Sequence, residues 1–442
     1  MTDLKDKLEQ LRRERDSRSK SQSIKDTWSK LDKDNALTTK EKLEALINLR
    51  PQKEKRVQIP KVEAVEKEAL QFTENAYALD VRYGRVKIAD GLKVNGHLLA
   101  CLGREPEFED LDLSTALFFD LETTGLSGGA GVVPFNIGLG YYRDDKFWVG
   151  QYFLGELAEE ERMLKEFGEF ISEMGFKSLV SYNGKTFDLP LLETRFILHR
   201  LPFRLHSLPH LDFLFPARNL WQHKFENCKL SYLARQLLLT GRDDDIPSSE
   251  VPWRYFQYLQ TGDFSYIEPV LYHNSEDILS LLGLVIMGAS VFDEDPDSCS
   301  AGAMDFFGAG KVLEKAGQAE KAADYFEKAL NGSLSDEVGL STRRRLASQY
   351  KRSEIWEKAV SLWKEMSDSE YASSDLLYSL RELSMYYEHR EKHFKNAHRY
   401  AEEGFVMARG FSSRYEQDFS HRKDRLKQKL KKELGKEEKP DA

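Results

Sequence analysis

The chain has 442 residues, 40% hydrophobic and 31% charged, enough for two or three domains with cores of their own. No run approaches the roughly 18 apolar residues of a membrane span, and the first thirty residues lack the apolar core of a secretory signal, so a soluble, cytoplasmic protein is expected. With 65 Lys and Arg against 74 Asp and Glu the net charge is −9, which excludes a coat for nucleic acid; Cys101, Cys228 and Cys299 are too scattered for a disulfide framework or a cysteine zinc site.

Residues 1–70 mix both charge signs, hold few aromatics and are broken at Pro51 and Pro60, which predicts a weakly packed, flexible helical arm. In 71–109, NAYALDVRYGRVKIADGLKVNGHLLACLG alternates apolar and polar residues around Gly84, Gly91 and Gly96, the pattern of a short β extension. From 110 to 293 strand and helix patterns alternate. ALFFDL reads as a buried strand, and FNIGLGYYRD and KFWVGQYFLG as two more joined by a turn at Asp144–Asp145. AEEERMLKEFGEFISEM follows as an amphipathic helix with Met163, Leu164, Phe167, Phe170 and Ile171 on one face. SLVSYNG is a further short strand, and TFDLPLLETRFILHR a helix with Asp188 and Pro190 in its first turn, where proline costs little. LSYLARQLLL and EPVLYHNSEDILSLLGLVIMGAS complete the set as helices, giving one α/β domain.

Beyond Asp293 only helical patterns occur. Ala322, Ala359 and Ala397 mark three helical pairs at intervals of 37 and 38 residues, somewhat above the roughly 34-residue period of tetratricopeptide repeats. The first pair resembles that family best, with Ala322, Phe326 and Ala329 at small-large-small packing positions. An all-α repeat domain is expected over 300–415, able to recruit a protein partner, and a charged, solvated tail over 416–442.

Asp120 and Glu122 stand at i and i+2 at the end of the first apolar strand, so alternation puts both carboxylates on one face and Leu121 on the other. Neighbouring carboxylates that lose water repel, which is costly unless a cation joins them. Asp188 opens a helix after a second buried strand, where it could equally serve the helix dipole. Asp277 lies one helical turn after His273, a spacing also common on solvated surfaces. Taken together, D-x-E, D and H-x-x-x-D place four carboxylates within about 160 residues, a set suited to two divalent cations.

This ordered set resembles the DEDD 3′-to-5′ exonucleases of the ribonuclease H-like superfamily, also called DnaQ-like. FDLETTG is similar to their first motif with Asp120 and Glu122, YNGKTFDLPLL to the second with Asn183 and Asp188, and HNSED to the third with Asp277. The N-x-x-x-F-D form of the second motif is that of family B polymerase proofreading domains, and the bacterial YprB type likewise joins such a domain to tetratricopeptide-like repeats. The third motif departs from the family. Its tyrosine subgroup has Tyr four residues before the last Asp and its histidine subgroup His five before, whereas here His273 is at four and Tyr272 at five. The shared helical face favours His273 as general base, with Tyr272 as its stand-in.

The resemblance implies an α/β fold with a ribonuclease H-like mixed sheet flanked by helices, and two-metal hydrolysis of phosphodiesters at single-stranded DNA or RNA ends. Asp120, Glu122, Asp188 and Asp277 would hold two Mg²⁺ or Mn²⁺ ions, with Asp120 bridging. Thr123, Thr124, Gly125 and Leu126 would line the seat of the 3′-terminal nucleotide, and Asn183 would position it. Two rivals stand beside this reading: a non-catalytic scaffold that binds nucleic-acid ends and recruits proteins, and an endonuclease on the same site. Other signals are weaker. Gly184-Lys185-Thr186 lacks the glycine of a phosphate-binding loop, since Leu179 stands there. His199, His206, His210 and His223 match no zinc spacing, and Trp221, Trp253, Tyr255 and Phe256 read as core rather than base-stacking residues.

Overall fold

The computed structural model describes residues 70–125, 131–240, 246–292, 301–368 and 373–437. Residues 1–69 of the expected arm, Leu126 of the expected nucleotide seat, and Cys299 lie outside the described residues. The chain divides into two compact units, Met1–Phe215 with Lys229–Ala289, and Pro216–Cys228 with Ser290–Ala442.

The first unit is built on a mixed sheet. Its strands are β1 (Leu70–Ala78), β4 (Ala116–Thr123), β5 (Pro134–Arg143), β6 (Lys146–Leu154), β7 (Ser178–Ser181) and β8 (His210–Asp212), in the order β1-β6-β5-β4-β7-β8. The two-residue strands β2 (Arg82–Tyr83) and β3 (Val86–Lys87) form a separate ribbon. β1, β6, β5 and β4 pair antiparallel, and β4, β7 and β8 parallel. The meander arises from local chemistry: Asp144 and Asp145 both adopt positive φ, at 52° and 54°, which suits the two-residue turn that brings Arg143 opposite Lys146. β7, covered on both faces, is apolar or neutral and buried at all four positions.

The helices of this unit are α1 (Gly96–Gly103), α2 (Glu160–Met174), α3 (Asp188–Leu198), α4 (Leu214–Trp221), α5 (Leu230–Leu233), α6 (Val251–Thr261) and α7 (Glu268–Ser290). α4 runs on into the second unit. α2 buries Met163, Leu164, Phe167 and Ile171 and ends at Gly175, whose φ of +64° caps it. Residues 96–103 differ from the expected strand pattern. Asn95 caps their first turn by accepting from the Leu98 N–H at 2.9 Å, and this local bond selects helix over extended chain. β1 joins the main sheet beside β6, all nine residues in register.

The second unit is helical: α8 (Ala303–Lys315), α9 (Ala319–Leu330), α10 (Asp336–Arg352), α11 (Trp356–Ser367), α12 (Ser374–His389), α13 (Phe394–Ala408) and α14 (Ser413–Glu437). Each packs on the next in chain order. Ala322, Ala359 and Ala397 are fully buried, and so are Phe326, Trp363 and Ala401 four residues later. Where the third pair has only Ala401 and Gly404, Phe419 of α14 fills the space, its ring 2.3 Å from where a Gly404 Cβ would be. Within the tail, Ser413–Glu437 is helix, anchored by buried Phe419 and Leu426. Pro216–Cys228 belongs to this unit, with His223 Nε2 2.8 Å from the Met304 carbonyl and the Lys224 ammonium bound to Asp305 at 2.7 Å. Among the described residues no helix is long and apolar enough to cross a membrane.

Candidate active site

Asp120 and Glu122 share a face of β4, paired across to Gly138 and Asn136 of β5. The glycine matters. A Cβ on Gly138 would lie 2.1 Å from Asn274 Oδ1, and one on Gly140 2.6 Å from Ile278, so bare backbone lets α7 press onto the sheet. There Asn274, fully buried, donates from Nδ2 to Asp120 Oδ2 at 2.8 Å. Gln151 of β6 fixes Asn274 in turn, donating to its Oδ1 at 3.0 Å and to the Leu271 carbonyl at 2.9 Å. A neighbouring face of α7 is braced by the Tyr83 hydroxyl, 2.8 Å from Glu276 Oε2 and 2.9 Å from Ser280 Oγ.

This seat brings His273 among the acids. Its Nε2 lies 3.5 Å from Asp277 Oδ2 and 3.9 Å from Glu122 Oε1, and both His273 and Glu122 are buried. Tyr272 is 48% exposed and lies near enough to Tyr77 to raise its phenol. One helical turn therefore gathers His273, Asn274 and Asp277.

Asp188 arrives from a differently built element. The loop before α3 is tied to Asp212 at the end of β8, whose carboxylate accepts from the Asn183 N–H at 2.8 Å, the Lys185 N–H at 3.2 Å and the Leu214 N–H at 3.2 Å. Asn183 takes a left-handed φ of 72°, a conformation Asn tolerates better than most residues. Its side-chain carbonyl accepts from Thr186 Oγ1 at 2.8 Å. Gly184 packs against Ser181, where a Cβ would sit 2.4 Å from Oγ, and Ser181 Oγ is 2.7 Å from His210 Nε2. Burial and then Lys185 push His210 down to about 3, so the imidazole is a neutral structural partner. Asp188 starts α3 from this clamp and is 6% exposed.

The electrostatics are one-sided. Burial and then the Asp212 carboxylate raise Asp188 to about 7. Asp120 is held well above the usual carboxylate range by burial, then by Asp277 and Asp188, with His273 and the Asn274 hydrogen bond pulling the other way. The groups acting on these two carboxyls are chiefly other acids, which is the situation a divalent cation relieves. The donor set, oxygen from four carboxylates with no cysteine, fits hard cations such as Mg²⁺ or Mn²⁺. Among the described residues no three His, Cys, Asp or Glu side chains stand at chelating spacing, so the acids converge without forming a closed cage.

Beyond Glu122 the register of β4 shifts at Thr123. Thr123 Oγ1 donates to the Gly125 carbonyl at 2.7 Å, while Thr124 exchanges two bonds with Val133, each 3.0 Å. The strand end that carries the acids is thus fastened at Thr123 and Thr124. Of the aromatic residues weighed as base-stacking partners, Trp221 and Tyr255 are buried and Trp253 and Phe256 half-buried, and the Tyr255 hydroxyl donates to the Leu154 carbonyl at 2.8 Å. His199 lies against Glu160 at 3.2 Å, away from any zinc-like set.

Sequence reasoning missed Asn274, Gln151 and Asp212. Asn274 carried a usable signal, since it sits three residues before Asp277 and so on the same helical face. Gln151 carried none, because its partners lie far away in sequence, and Asp212 showed at most a local tie to Leu214, its loop partners Asn183 and Lys185 lying 29 and 27 residues away.

Comparison with known proteins gives this geometry a family. Residues 117–287 match the family model RNase_H_2, described as RNase_H superfamily. A protein of Bacillus subtilis (strain 168), "Uncharacterized protein YprB", is 34% identical over 317 residues, which is 71% of this chain and 74% of that protein. A solved structure of the family B DNA polymerase from the hyperthermophilic archaeon Pyrobaculum calidifontis is similar with a TM-score of 0.31 and 15% identity, over 54% of this chain and 29% of the polymerase. The chain thus spans less than a third of that polymerase's length. A domain of this superfamily is of nuclease type and points to nucleic-acid processing, and such nucleases typically use divalent metal ions. By its identity and coverage the chain belongs to the YprB family, built around a ribonuclease H superfamily domain.

Proposed function

We propose that the protein is a metal-dependent 3′-to-5′ exonuclease acting on single-stranded DNA or RNA ends. One observation carries the reading: burial, then Asp277 of α7 and Asp188 of α3, hold the Asp120 carboxyl of β4 well above the usual carboxylate range, with His273 within 3.9 Å of Glu122 and 3.5 Å of Asp277. Stored repulsion of this kind is costly to a fold and is tolerated where a cation or a reaction uses it.

Asp120, Glu122, Asp188 and Asp277 would hold two Mg²⁺ or Mn²⁺ ions. When bound, such a pair lowers the pKa of an attacking water and stabilises the leaving 3′ oxygen. His273, its Nε2 3.5 Å from Asp277 Oδ2, would serve as general base. Asn274 and Gln151 hold the Asp120 carboxylate in orientation. Thr123, Thr124 and Gly125 line the seat of the terminal nucleotide, and Asn183, locked by Thr186, orients it. The helical pairs of the second unit recruit a protein partner in the manner of tetratricopeptide repeats.

The test is degradation of 5′-labelled and 3′-labelled single-stranded DNA and RNA by the purified chain with Mg²⁺, Mn²⁺ or EDTA, beside Asp120→Asn. A divalent-dependent ladder of 3′-to-5′ products that disappears in the variant is expected. Undiminished activity in Asp120→Asn would overturn the site, internal cuts would shift the reading to an endonuclease, and binding without turnover would favour the end-binding scaffold.

A further inference from the structure

The second unit contains a buried cation that the proposed reaction does not use. Lys311, on α8, is only 8% exposed. Among the described residues its ammonium has no carboxylate or hydrogen-bond acceptor within reach; its recorded contact is the face of Phe307, 5.5 Å from the ring centroid. A buried ammonium without a counter-charge is costly, and a fold keeps one chiefly where something anionic arrives.

The surroundings add positive charge rather than relieve it. Lys315 follows one turn later on the same face of α8. Arg345 reaches across from α10, and its Nη1 is bound to Glu314. The other Glu314 oxygen accepts from Gln349 Nε2 at 3.3 Å, so the nearby acid is committed to α10. Arg345 Nε is buried with no hydrogen-bond partner, a planar donor left over. Lys315 Nζ donates to Asn219 Oδ1 at 2.5 Å, and Cys228 and Glu314 are the groups that act to favour the Lys311 charge. Burial first, then Arg345 and Lys315, lower Lys311 to about 8, so it remains largely protonated at neutral pH.

We propose that the face between α8 and α10 around Lys311, Lys315 and Arg345 is a binding site for a phosphate-type oxyanion. The lysines meet such a group as point charges, and Arg345 Nε supplies a directed donor. The same chemistry is offered by inorganic phosphate and by the phosphodiester of a nucleic-acid strand.

The full chain, stripped of metal with EDTA, is titrated by calorimetry with inorganic phosphate and with the dinucleotide TpT, against chloride at equal ionic strength. Saturable phosphate binding is expected, weakened at least about tenfold in Lys311→Met, which keeps the apolar stem and removes the charge. Binding of both probes identifies a strand phosphate, and binding of inorganic phosphate alone a free or terminal one. Equal binding by Lys311→Met, or no binding above the chloride control, overturns the site. Should the variant fail to fold, the Lys311 ε-methylene NMR signal of the unsubstituted chain decides: a saturable shift with phosphate supports the proposal, and none overturns it.

Discussion

Two buried acids in this chain have opposite surroundings. Glu388, in the helical unit, is fully enclosed. Burial pushes its carboxyl up, but hydrogen bonds from Arg425 at 2.6 Å and Lys429 at 2.9 Å more than offset this and hold it below the usual range. Asp188, in the α/β unit, is nearly as buried, and burial and Asp212 carry it to about 7. The helical unit compensates the acid it buries, whereas Asp188 is buried beside a second carboxylate, Asp212.

The largest expected effect breaks the comparison at its functional end. Asp120→Asn keeps shape and hydrogen bonding but removes one charge, and should cut hydrolysis by more than roughly 1000-fold in the end-labelled assay. Glu388→Ala should instead unfold. It strands the buried Arg422, whose Nη1 lies 3.4 Å from Glu388, and should cost roughly 4 kcal/mol in urea denaturation of the helical transition.

Removing a buried carboxylate from the site should have the opposite sign. The folded pKa of Asp188, about 7, lies above its ordinary value of 3.8, so the folded state binds more protons between those limits. Stability of the metal-free protein should therefore fall as pH rises from about 4 to about 7. Asp188→Asn should be more stable than the parent by roughly 3 kcal/mol at pH 7.5, with the gain vanishing near pH 4. Millimolar Mn²⁺ should shrink the gain by stabilising the parent alone. An Asp188→Asn that is destabilised at pH 7.5 without metal would contradict the stored repulsion.

How far the sequence discloses this depends on the range of the interaction. Asp120 and Glu122 are legible because strand alternation is local, the Asp144–Asp145 turn because two residues make it, and His273 with Asp277 because one helical turn joins them. The helix at Gly96–Gly103 was hidden by its glycine and β-extended neighbours, although its Asn95 cap was there to be read. The final helix was hidden by its charge, since Arg422, Arg425 and Lys429 look solvated until Glu388 is placed among them. Gln151 could not be found because what it holds is 123 residues away, and the clamp of Asp212 on Asn183 and Lys185, 29 and 27 residues away, is not visible in its local tie to Leu214.

Gly138 offers the finest test, because it alters the site without touching a charge. Its missing side chain is what allows Asn274 to reach Asp120, and a Cβ there would meet the whole Asn274 amide, with Oδ1 at 2.1 Å and Nδ2 at 2.7 Å. Asn274 is fully buried and held by Gln151, so the amide cannot swing clear without moving α7. Gly138→Ala should therefore cost roughly 2 kcal/mol of stability, measured by thermal melting. Hydrolysis should fall further than stability explains, since His273 and Asp277 ride on the same helix. Asn274→Ala in the Gly138→Ala background relieves the clash and should restore stability without restoring activity, because the Asp120 carboxylate has then lost its donor. Full recovery of hydrolysis in that double variant would reduce Asn274 to a packing residue and leave Asp120 oriented by its neighbours alone.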